Sequence, residues 1–392
     1  MKTFTTNFLA VGEAERLVSR HGTPLYVYSQ DTIETQAQTM LSVPAPYGLT
    51  VRYAMKANPH PEVLKALREQ GIKIDASSGF EAAFAVSQGF APSDVLLTSQ
   101  QLARNLDDLI ERGVLFNATS LRQLEEYGKL FPGTEVGVRL NPGIGSGHSA
   151  RTNVGGVSSS FGIWHEYLPR VSSLAANHRL TISRLHTHIG SGTDPKTWRE
   201  ATELSLGLAQ LLPDVRTLNL GGGFKVGRMD DETSADMKVV GKAIASQLKA
   251  FARKTGRELH LELEPGTFLV ANAGMLIASI EDITDTGSEG YTFLKVDTGM
   301  NDIMRPTLYG AQHPMDIVPS NDDTQEYIVV GHNCESGDLL TPAPVDPEAL
   351  APRRLPKAEV GDLLLIGGAG AYCASMSAHG YNGFPSAKEI LL

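Results

Sequence analysis

The sequence predicts an α/β protein: a (β/α)8 barrel of the TIM type, followed by a β domain that also takes in the N-terminal strand. Three observations point to it. Between residues 34 and 266, apolar runs alternate with amphipathic segments, and the runs number eight. No Gly-x-Gly-x-x-Gly opens a helix after the first strand, which argues against a doubly wound open sheet. After Gly266 the helical period fades, and apolar runs are separated by Gly, Pro and Asp clusters.

Taken in order, residues 1–33 hold a helical pattern from Gly12 to His21 and a short strand in Pro24-Leu-Tyr-Val-Tyr-Ser29. The barrel strands are expected at Val51–Met55, Ile72–Ser77, Val95–Ser99, Val114–Thr119, Glu135–Asn141, Ile182–Ile189, Val215–Gly221 and Glu258–Pro265. Amphipathic helices are expected at Glu62–Gln70, Gly79–Gln88, Leu106–Arg112, Ser120–Leu130, Leu168–Ala176, Thr197–Leu212 and Ala235–Thr255. Phe268–Asp282, Tyr291–Asp297, Gln325–Val330 and Asp362–Leu365 read as strands of the second domain, and Thr341–Pro356, with five prolines, as its surface loop. The division is therefore 34–266 for the barrel and 1–33 with 267–392 for the β-rich domain.

Composition narrows the partners. A chain of 392 residues suits one large domain and a smaller one, and 41% hydrophobic residues with 39 glycines suit an α/β protein. A formal charge of −10 argues against nucleic acid and anionic membranes as partners. No apolar run reaches the roughly 18 residues of a membrane span, and the N-terminus lacks a signal-peptide pattern. Two cysteines, Cys334 and Cys373, are too few for a disulfide framework. A cytoplasmic protein is expected.

In such barrels reactive groups gather at the carboxyl ends of the strands. Those ends carry Lys56, Asp75, Ser99, Asn117, Arg139 with Asn141, His188, Gly221–Gly223 and Glu264. Arg52, Ala54 and Lys56 share a strand face; an inward lysine loses water, which lowers its pKa and makes its amine a nucleophile toward a carbonyl. On position alone, a surface lysine is the competing reading. Three successive glycines after a strand let backbone N–H groups converge on an anion, and Gly190-Ser191-Gly192 makes a second small turn. His186 and His188 share a face and suit either a stacked ring or a metal. No third ligand of matching type stands out beside them, although Asp75 and Glu264 keep the metal reading open. His260, Glu262 and Glu264 alternate inward, and a carboxylate at a barrel mouth is costly without a cationic partner. A lysine, a flat base, a glycine nest and a carboxylate together suit a charged, phosphorylated, planar cofactor.

The chain resembles the fold-type III, pyridoxal-phosphate-dependent amino-acid decarboxylases, and among them the bacterial diaminopimelate decarboxylases. The resemblance runs from about Thr23 to Asn382 through Tyr53-Ala-Met-Lys56-Ala-Asn58, His186-Thr-His-Ile-Gly-Ser191, Gly221-Gly-Gly223, Glu264-Pro-Gly266, Met304-Arg-Pro-Thr-Leu-Tyr-Gly310, Cys334-Glu-Ser-Gly-Asp338 and Gly370-Ala-Tyr-Cys-Ala-Ser-Met376. The loop from Asn141 to Gly156, with Ser160-Phe-Gly-Ile-Trp164, also looks like the family's active-site segment. The resemblance implies pyridoxal 5'-phosphate as cofactor, held by Lys56 as a Schiff base and covered by His188. Glu264 would face the ring nitrogen, and Ser191, Gly221, Gly222, Gly223, Gly266 and Tyr381 the phosphate. Arg305, Tyr309 and Glu335 would bind the far end of an amino-acid substrate. Cys334 would return a proton after CO2 leaves, with Cys334 and Glu335 supplied across a homodimer interface. No metal is implied. The implied reaction converts meso-diaminopimelate to L-lysine.

The chain departs from the family pattern where arginine usually follows Glu-Pro-Gly, because Thr267 stands there. The segment Ala378-His-Gly-Tyr381-Asn382 is one residue longer than usual, and Gly-Phe-Pro follows it where an arginine is common. These departures leave open a decarboxylase for another amino acid, such as D-ornithine or D-lysine, or for a biosynthetic conjugate. A racemase is less consistent with Glu264, and a cofactor-free regulator with the retained lysine and glycines.

Overall fold

The computed structural model describes residues 8–144, 155–188, 190, 192–319 and 322–392. Ser191 and most of the loop after Asn141 lie outside the described residues.

A first strand, β1 (Leu25–Tyr28), precedes eight parallel barrel strands. These are β2 (Leu49–Ala54), β3 (Lys73–Ala76), β4 (Val95–Leu97), β5 (Leu115–Ala118), β6 (Glu135–Asn141), β8 (Thr181–His186), β9 (Thr217–Asn219) and β10 (His260–Leu263); a two-residue β7 (Ile163–Trp164) adds to the edge of β6. Each pairs with the next, and β10 pairs with β2, so the sheet closes. The expected strands are all present: Glu135–Asn141 keeps its bounds, β2 starts two residues earlier than expected, and the other six are shorter.

The helices form where caps and apolar faces coincide. Ser78 and Ser120 accept the N–H groups of Glu81 and Gln123 at 3.1 Å, while those side chains return to the N–H groups of Ser77 and Thr119. Pro61 opens the helix Pro61–Glu69, whose Val63, Leu64, Ala66 and Leu67 are buried. Seven barrel helices were expected, and the structure adds the one that completes the ring. It is Gln30–Leu41, which precedes β2, is capped by Ser29 and buries Ile33, Ala37 and Met40.

The strand expected from Phe268 begins only at Gly274, because Thr267–Val270 is a helical turn at the barrel exit. The second sheet contains β11 (Gly274–Asp285), β12 (Thr292–Val296), β13 (Met315–Val318), β14 (Thr324–Val330), β17 (Arg353–Pro356), β18 (Leu363–Ile366) and β19 (Lys388–Leu391), with β1 between β11 and β19. A hairpin, β15 (Pro342–Ala343) with β16 (Asp346–Leu350), lies beside it. Thr341–Pro356 is therefore no bare loop: Pro342, Pro344 and Pro347 sit in the hairpin, Pro352 precedes β17 and Pro356 ends it, and β17 pairs with β14.

This sheet positions the site by gripping the turn that carries Lys56. The N–H of Tyr372 donates to Ala57 O at 2.8 Å, Ser375 Oγ donates to the same carbonyl at 3.0 Å, and Asn58 Nδ2 donates to Gly370 O at 3.2 Å. No helix among the described residues is long and apolar enough to cross a membrane.

Candidate active site

Inside the barrel the inward residues form two tiers. In the lower one, Glu262 receives Arg52 Nη2 at 2.9 Å and Arg184 Nε at 2.8 Å, with Arg52 and Glu262 buried. Burial alone raises this carboxyl, but the two guanidiniums outweigh it and hold it at about 2. Asn219 links the tiers. Its Nδ2 donates to Glu264 Oε1 at 2.6 Å and lies 3.4 Å from Glu262 Oε2, while its Oδ1 accepts the N–H of Gly221 at 2.8 Å.

In the upper tier Glu264 has no such cation. It is 4% exposed, and its Oε2 lies 3.3 Å from His186 Nε2. Burial and then Asp75 push its carboxyl up to about 8. His186 is held well below the ordinary imidazole range by burial and Arg139, so it offers no charge. Asp75 is also raised by burial, and its Oδ1 has no partner.

Lys56 follows β2 on a helical turn, Met55–Ala57, with its side chain open to the recess. Desolvation was expected to depress its pKa. The structure gives the opposite direction: burial pulls it down, but Tyr372, Asp75 and Glu264 around it prevail and raise it. His188 lies just beyond β8, packed on Gly221, with Nδ1 unpartnered; burial, Arg139 and Lys56 hold it well below the usual range, leaving a neutral ring. Arg139, on β6, is buried with its guanidinium 5.1 Å above the Phe161 ring.

The glycine nest lies against the end of β10. The N–H of Glu264 donates to Gly221 O at 2.8 Å, and a Cβ on Gly222 would fall 2.0 Å from Glu264 O. The Gly192 N–H donates to Gly223 O at 3.0 Å, which joins the two small turns. Gly266 faces the hydroxyl of Tyr372, 3.1 Å from where a Cβ would stand.

Two further groups lie toward the β domain. Arg305 Nε is 3.4 Å from His313 Nε2, and Tyr309 Oη is 3.8 Å from Met376 Sδ. Cys334 and Glu335 are exposed, with the Cys334 N–H donating to Asn382 Oδ1 at 2.7 Å. Tyr381 stands with them, its hydroxyl 3.4 Å from Glu335 Oε2, while Tyr372 stands beside Gly266. Ser191 lies outside the described residues.

Asn219 and Tyr372 went unselected in the sequence. Asn219, between Leu218 and Leu220, has the period-two signature of an inward polar residue. Tyr372 carries no such pattern. Among the described residues no group of three or more His, Cys, Asp or Glu is arranged to hold a metal.

A lysine and a buried carboxyl raised to about 8 at one barrel mouth, with a glycine nest between β9 and β10, define an enzyme of the lysine-anchored, carbonyl-cofactor class. Residues 30–271 match the family model described as "Pyridoxal-dependent decarboxylase, pyridoxal binding domain". The chain belongs to the pyridoxal-dependent decarboxylases. It is 34% identical to the diaminopimelate decarboxylase of Streptomyces coelicolor, over 95% of this chain and 85% of that one. It is 33% identical to that of Escherichia coli K12, over 96% and 90%. A crystal structure of a diaminopimelate decarboxylase superimposes with a TM-score of 0.91 at 32% identity, covering 98% of this chain and 92% of that one. The Helicobacter pylori enzyme complexed with L-lysine gives 0.87 at 26%, covering 96% and 93%.

Proposed function

We propose that this protein removes CO2 from meso-diaminopimelate to give L-lysine, using pyridoxal 5'-phosphate. The observation that carries decarboxylation is Glu264, a buried carboxyl that burial and Asp75 raise to about 8 and that no guanidinium pairs. A protonated pyridine nitrogen is the cation that place suits. The unpartnered, neutral His188 and the close-packed Gly222 fit a flat ring ending in a phosphate. Similarity to diaminopimelate decarboxylases over almost the whole chain supports the substrate.

In this reading Lys56 anchors the cofactor's aldehyde carbon, His188 covers the ring, and Glu264 keeps the ring nitrogen protonated. Ser191, Gly221–Gly223 and Gly266 serve the phosphate, with Tyr372 nearby. When bound, the cofactor supplies a conjugated sink for the charge left at Cα. Lys56 must first lose the proton that Tyr372, Asp75 and Glu264 favour on its Nζ, so cofactor loading quickens as pH rises. Arg305 and Tyr309 take the far end of the substrate. Exposed Cys334 and Glu335, with Tyr381 beside them, reach the site of a second copy in a homodimer, where Cys334 protonates Cα. The protein works in the cytoplasm, in keeping with its two free cysteines.

The test is CO2 release by reconstituted protein across meso-diaminopimelate, L- and D-lysine, L- and D-ornithine and arginine. meso-Diaminopimelate should exceed every other substrate in kcat/KM. Preference for a monocarboxylate would refute the substrate, and a colourless protein that cannot be reconstituted would refute the cofactor.

A further inference from the structure

Arg228 has no place in the machinery described so far. It lies five residues beyond Gly223, 9% exposed, with Nε donating to Gly368 O at 2.9 Å and Nη2 buried without a partner. Its stem packs on Gly368, where a Cβ would meet Cδ and Cγ at 2.9 Å. The carboxylate that acts on its charge, Glu232, is committed elsewhere. Glu232 accepts the backbone N–H groups of Arg228 and Met229 and pairs with Lys225 at 3.0 Å, which shapes the loop without neutralising the guanidinium.

Arg228 also lies within electrostatic reach of another cation, Arg305. Burial and then Arg305 disfavour its charge, and Tyr372 is among its neighbours. Arg305 is oriented from the same turn: His313 Nδ1 meets Gly367 O at 3.0 Å, which leaves Nε2 to accept from Arg305 Nε. Adjacent carbonyls, of Gly367 and Gly368, thus fix the groups that hold two guanidiniums near each other. Neither has a carboxylate partner in an ion pair among the described residues. Two like charges held together in low dielectric are costly unless an anion joins them.

The loop also touches the turn that follows the one carrying Thr267. Asn272 Nδ2 donates to Gly227 O at 3.0 Å, which ties residue 227 to the turn just beyond Thr267–Val270. At position 267 the resemblance leads one to expect an arginine, and a threonine leaves the anion end one guanidinium short.

We infer that Arg228 supplies that guanidinium and, with Arg305, clamps the substrate carboxylate remote from the reacting Cα. The role rests on the diaminopimelate reading, since a monocarboxylic amino acid has no such group. It makes Arg228 a specificity residue that discriminates dicarboxylic from monocarboxylic substrates.

The experiment is calorimetric binding of heptanedioate, the amine-free skeleton of diaminopimelate, to reconstituted wild type, Arg228→Gln and Arg228→Lys, with cofactor affinity followed by absorbance. Arg228→Gln should weaken heptanedioate by about tenfold to a hundredfold. Arg228→Lys should recover part of the loss, with cofactor affinity unchanged in both. A fall in cofactor affinity with heptanedioate unaffected would assign Arg228 to the phosphate and overturn the proposal. Unchanged binding of both would reduce it to packing, which also overturns it. Wild type that decarboxylates lysine or ornithine yet binds no dicarboxylate would sink the substrate reading itself. If Arg228→Gln fails to fold, Arg228→Lys alone decides: heptanedioate affinity equal to wild type contradicts a bidentate clamp.

Discussion

Glu262 and Glu264 stand two residues apart on and just beyond one strand, point into one barrel, and are almost equally buried. They titrate in opposite directions. Glu262 has Arg52 and Arg184 and is held at about 2; Glu264 has a neutral histidine and an amide and is raised to about 8. The lower tier is complete without a ligand, whereas the upper tier has polar atoms waiting for one: Asp75 Oδ1 and His188 Nδ1. A buried polar group left unmatched costs stability, so it marks a place where binding returns the cost.

Substitutions should separate the two tiers. The largest effect belongs to the upper one: Lys56→Ala should abolish turnover and the visible cofactor band while the melting temperature of the cofactor-free protein changes little. Retained activity would refute Lys56 as the anchor. In the lower tier Arg52→Met should cost about 3 kcal/mol in denaturant unfolding, because it strips a buried carboxylate of one of two cations. A change below about 1 kcal/mol would show that Arg184 suffices alone. Asn219→Ala touches both tiers and should cost about 1–3 kcal/mol while pushing Glu264 higher still. Wild-type stability in that variant would mean the tiers are not coupled through Asn219.

The upper tier was largely legible in the sequence because strand periodicity carries it. Lys56, Arg139 and Glu264 fall at or just after the ends of alternating runs, and three consecutive glycines announce a nest without any tertiary knowledge. Two kinds of fact were not legible. The direction of the Lys56 shift depends on Tyr372, which arrives from a segment more than three hundred residues later through the Ala57 carbonyl. Arg228 sits in a loop with no periodicity, and its meaning comes from Gly368, 140 residues away. The strand boundaries near Phe268 and Thr341–Pro356 failed for a related reason. Apolar content read as strand where the chain turns at the barrel exit, and prolines read as loop where they sit at the edge of a sheet.

Melting curves of cofactor-free protein from pH 5 to pH 9 test the comparison most directly. A carboxyl whose folded pKa is raised keeps its proton in the native state after the unfolded chain has lost it. Its contribution is therefore fully present below the unfolded value near 4.5 and is lost as pH rises through about 8. Asp75 acts with the same sign, and Glu262 is already ionised throughout this range. His186 and His188, held low in the fold, act with the opposite sign up to the ordinary imidazole range in both proteins. The readout is therefore the difference: wild type should lose stability relative to Glu264→Gln steadily between pH 5 and pH 8. Parallel curves for the two proteins would contradict the account, because Glu264 would then be an ordinary ionised carboxylate that awaits no cation.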